Sequence, residues 1–280
     1  MTYFHTTLIA SSLTAALASS AVYANESCNV DLSAGFKIDT NSIEFLQAGN
    51  ENTSKGQTLY KISEGSKLFV GNKKLALTTK QKSLVKQYDA KIRQLVPQVK
   101  SVAIEGVDLA IDGVNLAFNG LLGEGNAVGA DLTKELNLIR EQVTSNLTIE
   151  NGISVGVDGL ESEELLGKDF EQRIESAVEK AVLNSMGSIL MAVGQQMMAG
   201  DGDEGSFETR MEDFGETIEH EMTARSEKIE EKAQALCINI AKLDALEEKL
   251  KAEIEPLSTT NVFTVTQSSR DEDHHHHHAK

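Results

Sequence analysis

Tryptophan is absent from this chain, proline and cysteine occur twice each, and the aromatic complement is only four Tyr and nine Phe. Each scarcity excludes something. Two prolines, Pro97 and Pro256, cannot break 280 residues into many short elements, so long uninterrupted helices are open to it. Two cysteines without a Cys-x-x-Cys spacing exclude dithiol redox catalysis and a cysteine-rich scaffold. Positive charge is scarce: 26 Lys and Arg face 43 Asp and Glu, a net charge of −17, and that field opposes nucleic acid and anionic lipid. His220 stands alone between His5 and the C-terminal tail, so acid–base catalysis would have to rest on shifted carboxylates. After the first 24 residues no apolar run approaches the roughly 18 residues a membrane span requires, so no span is expected in the mature chain.

What is present begins with an uncharged N-terminus. Residues 1–24 contain no Lys, Arg, Asp or Glu, and Leu8–Ala18 (LIASSLTAALA) is an apolar run too short for a stable span. With the small residues that follow, ending Val22-Tyr23-Ala24, it reads as a secretory signal peptide cleaved after Ala24. Glu26 and Ser27 precede Cys28 without a lipobox, so no lipid anchor is expected there. Secretion places Cys28 and Cys237 in an oxidising compartment, where a disulfide is expected between them; two separate buried thiols are the alternative.

Residues 25–78 are short, alternating and turn-rich. Leu68-Phe69-Val70 and Leu75-Ala76-Leu77 flank Gly71-Asn72-Lys73-Lys74, a hairpin signal within a small β region. Thr78 with Gln81 forms a capping box, and Leu84, Tyr88, Ile92 and Leu95 recur at helical spacing behind it. Pro97 is expected to kink or restart that helix. The tandem VDLAIDG and VNLAFNG then places a glycine every seventh residue. As a strand its alternation slips at Gly113; as a helix three stripes hold register together. Ala103, Gly106, Ala110, Gly113, Ala117 and Gly120 form a small-residue packing seam, beside bulky Ile104, Val107, Ile111, Val114, Phe118 and Leu121. Glu105, Asp108, Asp112, Asn115 and Asn119 form a polar stripe, readable as a solvated face or a divalent-cation site. Each glycine costs roughly 1 kcal/mol in a helix, which close approach of a second helix can offset, within the chain or from a partner.

A second helix is expected over residues 129–148, a short strand near 153–157 (Ile153, Val155, Val157) returning to the sheet, and helices over 169–198 and 206–254. The last carries Ile229, Ala233, Leu236, Ile240, Leu243, Leu246 and Leu250 as a heptad-like stripe with Cys237 beside it. The implied organisation is a signal peptide over 1–24, a β region over 25–78, a helical bundle over 79–256 and a tail over 257–280.

The stretch Leu75–Pro97 (LALTTKQKSLVKQYDAKIRQLVP), with Leu77-Thr78-x-x-Gln81, Tyr88, Arg93 and Pro97, resembles the helix opening of the YggN-like proteins, an uncharacterised group from the Gram-negative periplasm. An early cysteine like Cys28, a helix segment like Ser185–Leu190 and a late cysteine like Cys237 follow the same order, over roughly residues 25–250. The resemblance implies a periplasmic protein of unknown function with no assigned catalytic residue.

Other motifs carry no chemistry. His220-Glu221 begins like a zincin, but Ala224 replaces the second histidine. Asp201-Gly202-Asp203 begins like a calcium loop, but Gly205 and Ser206 replace the fifth-position ligand and the sixth-position glycine. Met186, Met191, Met197, Met198, Met211 and Met222 suit a pliable core, a partner surface or soft ligands for Cu(I). His274, His275, His276, His277 and His278 would bind Zn, Ni or Cu in vitro whatever their biology, and resemble a purification tag.

The expectation is an α+β, mostly α protein: a small N-terminal antiparallel β region followed by a long-helix antiparallel bundle or hairpin. It is expected to be periplasmic and non-enzymatic, without a cofactor, in a structural or protein-interaction (adaptor or chaperone-like) role. Its partner would be an envelope protein or a second copy. The alternative is a metal-binding protein using the histidine tract.

Overall fold

The computed structural model describes residues 26–47, 56–122, 127–160, 162–198 and 204–269. Contacts divide the chain into two units, residues 1–29 with 266–280 and residues 30–265. Strands β1 (Glu26–Leu32) and β9 (Phe263–Ser269) pair in a two-stranded sheet, whose outer halves are the described part of the first unit. The remaining elements belong to the second.

Five strands run in sequence as a meander: β2 (Ala34–Ile38), β3 (Ser42–Gln47), β4 (Thr58–Ser63), β5 (Lys67–Val70) and β6 (Lys73–Lys74). A further hairpin, β7 (Ile153–Gly156) and β8 (Gly159–Leu160), adds to the free edge of β2, giving the order β6-β5-β4-β3-β2-β7-β8. All the ladders are antiparallel, and β7 sits in register through Phe36↔Val155 and Ile38↔Ile153. Ile153 and Val155 thus return to the sheet, as their alternation suggested. Gly35 allows the approach: a Cβ there would lie 2.9 Å from the Val155 carbonyl oxygen.

The turns follow their chemistry. Gly71 opens the β5–β6 loop at φ +56° while Asn72 keeps a negative φ, the combination a type II′ hairpin uses. The second strand is Lys73–Lys74 rather than Leu75–Leu77, because the loop is only Gly71-Asn72.

The helices are α1 (Thr79–Leu122), α2 (Ala127–Asn146), α3 (Ser162–Leu166), α4 (Phe170–Met198) and α5 (Glu204–Glu253). The capping box forms: the Thr78 amide donates to Gln81 Oε1 at 2.9 Å and the Gln81 amide to Thr78 Oγ1 at 3.3 Å. Pro97 does not restart α1, which runs through it as one helix. The proline is solvent-exposed, so the carbonyl of Arg93 that loses its donor can be hydrated.

Cross-links fix the helix directions. From α1 to α2 they run Lys100 to Thr144, Asp108 to Arg140 and Asn115 to Thr133; from α1 to α5 they run Lys80 to Glu253, Glu105 to Lys232 and Asp112 to Arg225. Rising numbers on α1 meet falling numbers on both partners, so the packing is antiparallel.

The core lies where the sheet meets the roots of α1 and α5. Phe36, Ile38, Ile43, Phe45, Tyr60, Ile62 and Leu68 supply the sheet face, against Val85, Tyr88 and Ile92 of α1, Leu243 and Leu250 of α5, and Ile254 just past its end. Beyond Val96 no described side chain on α1 is fully buried. On α5 the buried row reads Leu243, Glu247 and Leu250, continued by Ile254 just past the helix and preceded by half-buried Leu236 and Ile240; Ala233, expected in the stripe, is exposed. Cys237 is buried beside this row, and a carboxylate stands on it where the heptad spacing calls for an apolar residue. Residues 257–269, expected as tail, instead close a 3-10 turn (Glu255–Leu257) and form β9.

Candidate binding site

Between the sheet and the roots of α1 and α5 lies an apolar pocket of about 200 Å³. Ile92, Leu95, Val96 and Val99 of α1 form one wall; Phe36 and Ile38 of β2 with Ile153, Val155, Gly159 and Leu160 of the β7–β8 hairpin form another. Val30 and Leu32 of β1, Leu147, Ile240 of α5 and Phe263 of β9 complete it. No lining residue is charged or carries a side-chain hydrogen-bonding group. The local folding explains why: β2 turns every second residue toward α1, and β7 copies its alternation across the ladder.

Phe263 is held beside the pocket by a buried carboxylate. Glu247, 2% exposed, accepts the Val262 amide at 2.8 Å on Oε1 and the Phe263 amide at 3.0 Å on Oε2. The neighbouring Asp244 accepts the Val265 amide at 3.1 Å. Burial pushes the Glu247 carboxyl up to about 7; the two amides and Lys251 work in the opposite direction without cancelling it. Tyr60 and Tyr88 lie fully buried with their hydroxyls 3.5 Å apart, and desolvation raises both phenols well above their ordinary value, with the charge of Glu247 adding to it. These groups order the chain: both carboxylate oxygens are engaged by main-chain donors, and none of the three lines the pocket.

Sequence reasoning missed both features, although each left a signal. Glu247 interrupts the row Leu236, Ile240, Leu243, Leu250, Ile254 at a core position, where a charge demands a partner. The alternation Phe263, Val265 marked a strand inside the supposed tail.

The residues singled out from sequence fall in several places. Cys28 and Cys237 are both disulfide-bonded, and as the chain's two cysteines they are bonded to each other. The small-residue seam is used unevenly: Ala103 packs on the core, Gly106 and Ala110 are exposed, Met222 of α5 lies 3.3 Å from where a Gly113 Cβ would sit, and the Phe214 ring fills the equivalent space at Gly120. Ala117 is half-buried on the same helix.

The polar stripe is occupied by neighbouring cations. Glu105 meets Lys228 at 3.2 Å and Lys232 at 2.5 Å, Asp108 meets Arg140 at 2.6 Å, and Asp112 meets Arg225. The two lysines hold the Glu105 carboxyl below its usual value, Lys232 first. Being partly exposed, such pairs act chiefly on helix register rather than on stability. Among the described residues no group of three or more His, Cys, Asp or Glu is arranged to hold a metal ion. His274–His278 and the signal-peptide segment lie outside the described residues.

A second apolar feature is on α4. Ala177 and Ala181 are buried, but Val178, Val182, Leu183 and Met186 are 45%, 48%, 62% and 58% exposed. No helix among the described residues is long and apolar enough to cross a membrane.

No curated protein and no solved structure matches the chain. A family model described as "Protein of unknown function (DUF2884)" matches residues 28–263, a range that holds both cysteines and every pocket-lining residue but stops short of the histidine tract. With that match spanning most of its length, the chain belongs to the DUF2884 family.

Proposed function

We propose that the protein is a non-enzymatic interaction protein of the Gram-negative periplasm, one of the YggN-like proteins, and that it acts on another envelope protein. The observation that carries this reading is the exposed row Val178, Val182, Leu183 and Met186 on α4. Helical spacing of 178, 182 and 186 puts three of them on one stripe, where a soluble helix ordinarily carries polar residues. The formed disulfide supports an oxidising compartment.

The test is a photo-crosslinking amino acid placed at Leu183 in the protein's own host, with exposed Glu175 as the control position. A discrete protein adduct at 183 that is missing at 175, and missing again in Val182→Glu, supports the reading. Equal patterns at 183 and 175 refute it. Intact mass of the same periplasmic material reports whether residues 1–24 are removed; stoichiometric metal lost on deleting residues 271–280 would move the histidine tract to the front.

A further inference from the structure

We infer that the apolar pocket between the sheet and α1 takes the alkyl chain of a single-chain amphiphile. Its volume of about 200 Å³ exceeds the roughly 150 Å³ of an apolar cavity that takes up benzene, and corresponds to an alkyl group of roughly eight carbons. A two-chain phospholipid is too large for it. The lining excludes headgroup recognition inside, because it offers neither a charge nor a side-chain donor or acceptor. The headgroup therefore stays at the mouth, where the net charge of −17 disfavours an anionic one.

The space is built into the sequence. Val30, Val96, Val99 and Val155 stand around it, where one Leu or Phe would close it while keeping the apolar pattern. Access follows from topology. The wall formed by β7 and β8 is a hairpin of four and two residues, joined to the sheet through β2 alone, and its tip residue Val157 is 40% exposed. An edge hairpin this short can separate locally at far less cost than the central strands. This inference is independent of the α4 surface.

The experiment is calorimetric titration of the full-length disulfide-bonded protein with 1-hexanol, 1-octanol, 1-decanol and 1-dodecanol. One site is expected, with affinity rising about fourfold per methylene up to roughly eight carbons and levelling beyond. Val99→Phe, which fills the pocket from α1, is expected to weaken 1-octanol at least tenfold with the thermal midpoint maintained. Photolabelling of the unmodified protein with a diazirine analogue of 1-octanol reads the site without any substitution; adducts are expected on the pocket walls. Adducts confined to Val178–Met186, affinity that climbs through twelve carbons without levelling, no saturable binding, or binding to phospholipid vesicles alone would each overturn the inference.

Discussion

Glu247 makes the sharpest prediction, because its burial and its hydrogen bonds oppose each other. The carboxyl rises from an ordinary 4.5 to about 7 in the folded protein, with desolvation the dominant cause. At 2% exposure solvent screening is slight, so that difference corresponds to about 3 kcal/mol. The folded-state value is above the unfolded one, so the folded chain holds this proton more tightly. The stabilisation is therefore complete below about pH 4.5 and is lost as pH rises through about 7. The perturbation is Glu247→Gln, which has nearly the same shape and does not titrate. The amide presents one oxygen where the carboxylate has two, leaving one of the Val262 and Phe263 amides unpaired at a pH-independent cost of about 1–3 kcal/mol.

The assay is urea unfolding of both proteins, disulfide intact, at half-unit steps from pH 4.5 to 7.5. The advantage of wild type over Glu247→Gln should shrink by about 3 kcal/mol across that window. The comparison cancels Asp39, Glu64 and Glu105, whose lowered carboxyls contribute alike to both proteins. A difference that stays flat would refute the argument. A difference that grows with pH would show that the two amide bonds outweigh desolvation.

Further outcomes follow from the same structure. Cys28 and Cys237 enclose a loop of roughly 210 residues, for which the chain-entropy model gives about 5 kcal/mol; Cys28→Ala with Cys237→Ala should lower the urea midpoint accordingly, and an unchanged midpoint would sink that account. Gly106→Ala should raise the thermal midpoint, gaining about 0.5–1 kcal/mol, since a Cβ there meets nothing within 4 Å. Gly120→Ala should forfeit that gain because Phe214 occupies the space, and equal melts for the two variants would remove the seam from the α1–α5 contact.

Much of the local structure was legible because it depends on neighbours in sequence. The Thr78–Gln81 capping box, the glycine at the β5–β6 turn and the three co-registered stripes of α1 all arise within a few residues of themselves. Pro97 does not end α1 because its face meets solvent, where the carbonyl left without a donor can be hydrated. Ala233 keeps the seven-residue period of Ile240 and Glu247 and is exposed all the same, because period fixes a row but not how far along the helix that row is covered.

By itself the sequence determined the helix-rich class, the turn positions, the alternation that seats Ile153 and Val155 beside β2, and the absence of a nucleic-acid-binding charge. Periodicity, turn chemistry and net charge are sums over nearby residues and survive without a fold. Only the tertiary structure decided that Glu247 would be buried against the amides of Val262 and Phe263, that the acidic stripe of α1 would meet Arg140, Arg225, Lys228 and Lys232, and that strands 30–38, 153–160 and 263 would enclose an apolar space with α1 and α5. Those depend on pairs of residues up to a couple of hundred positions apart, and nothing in one linear segment records which distant surface will come to face it.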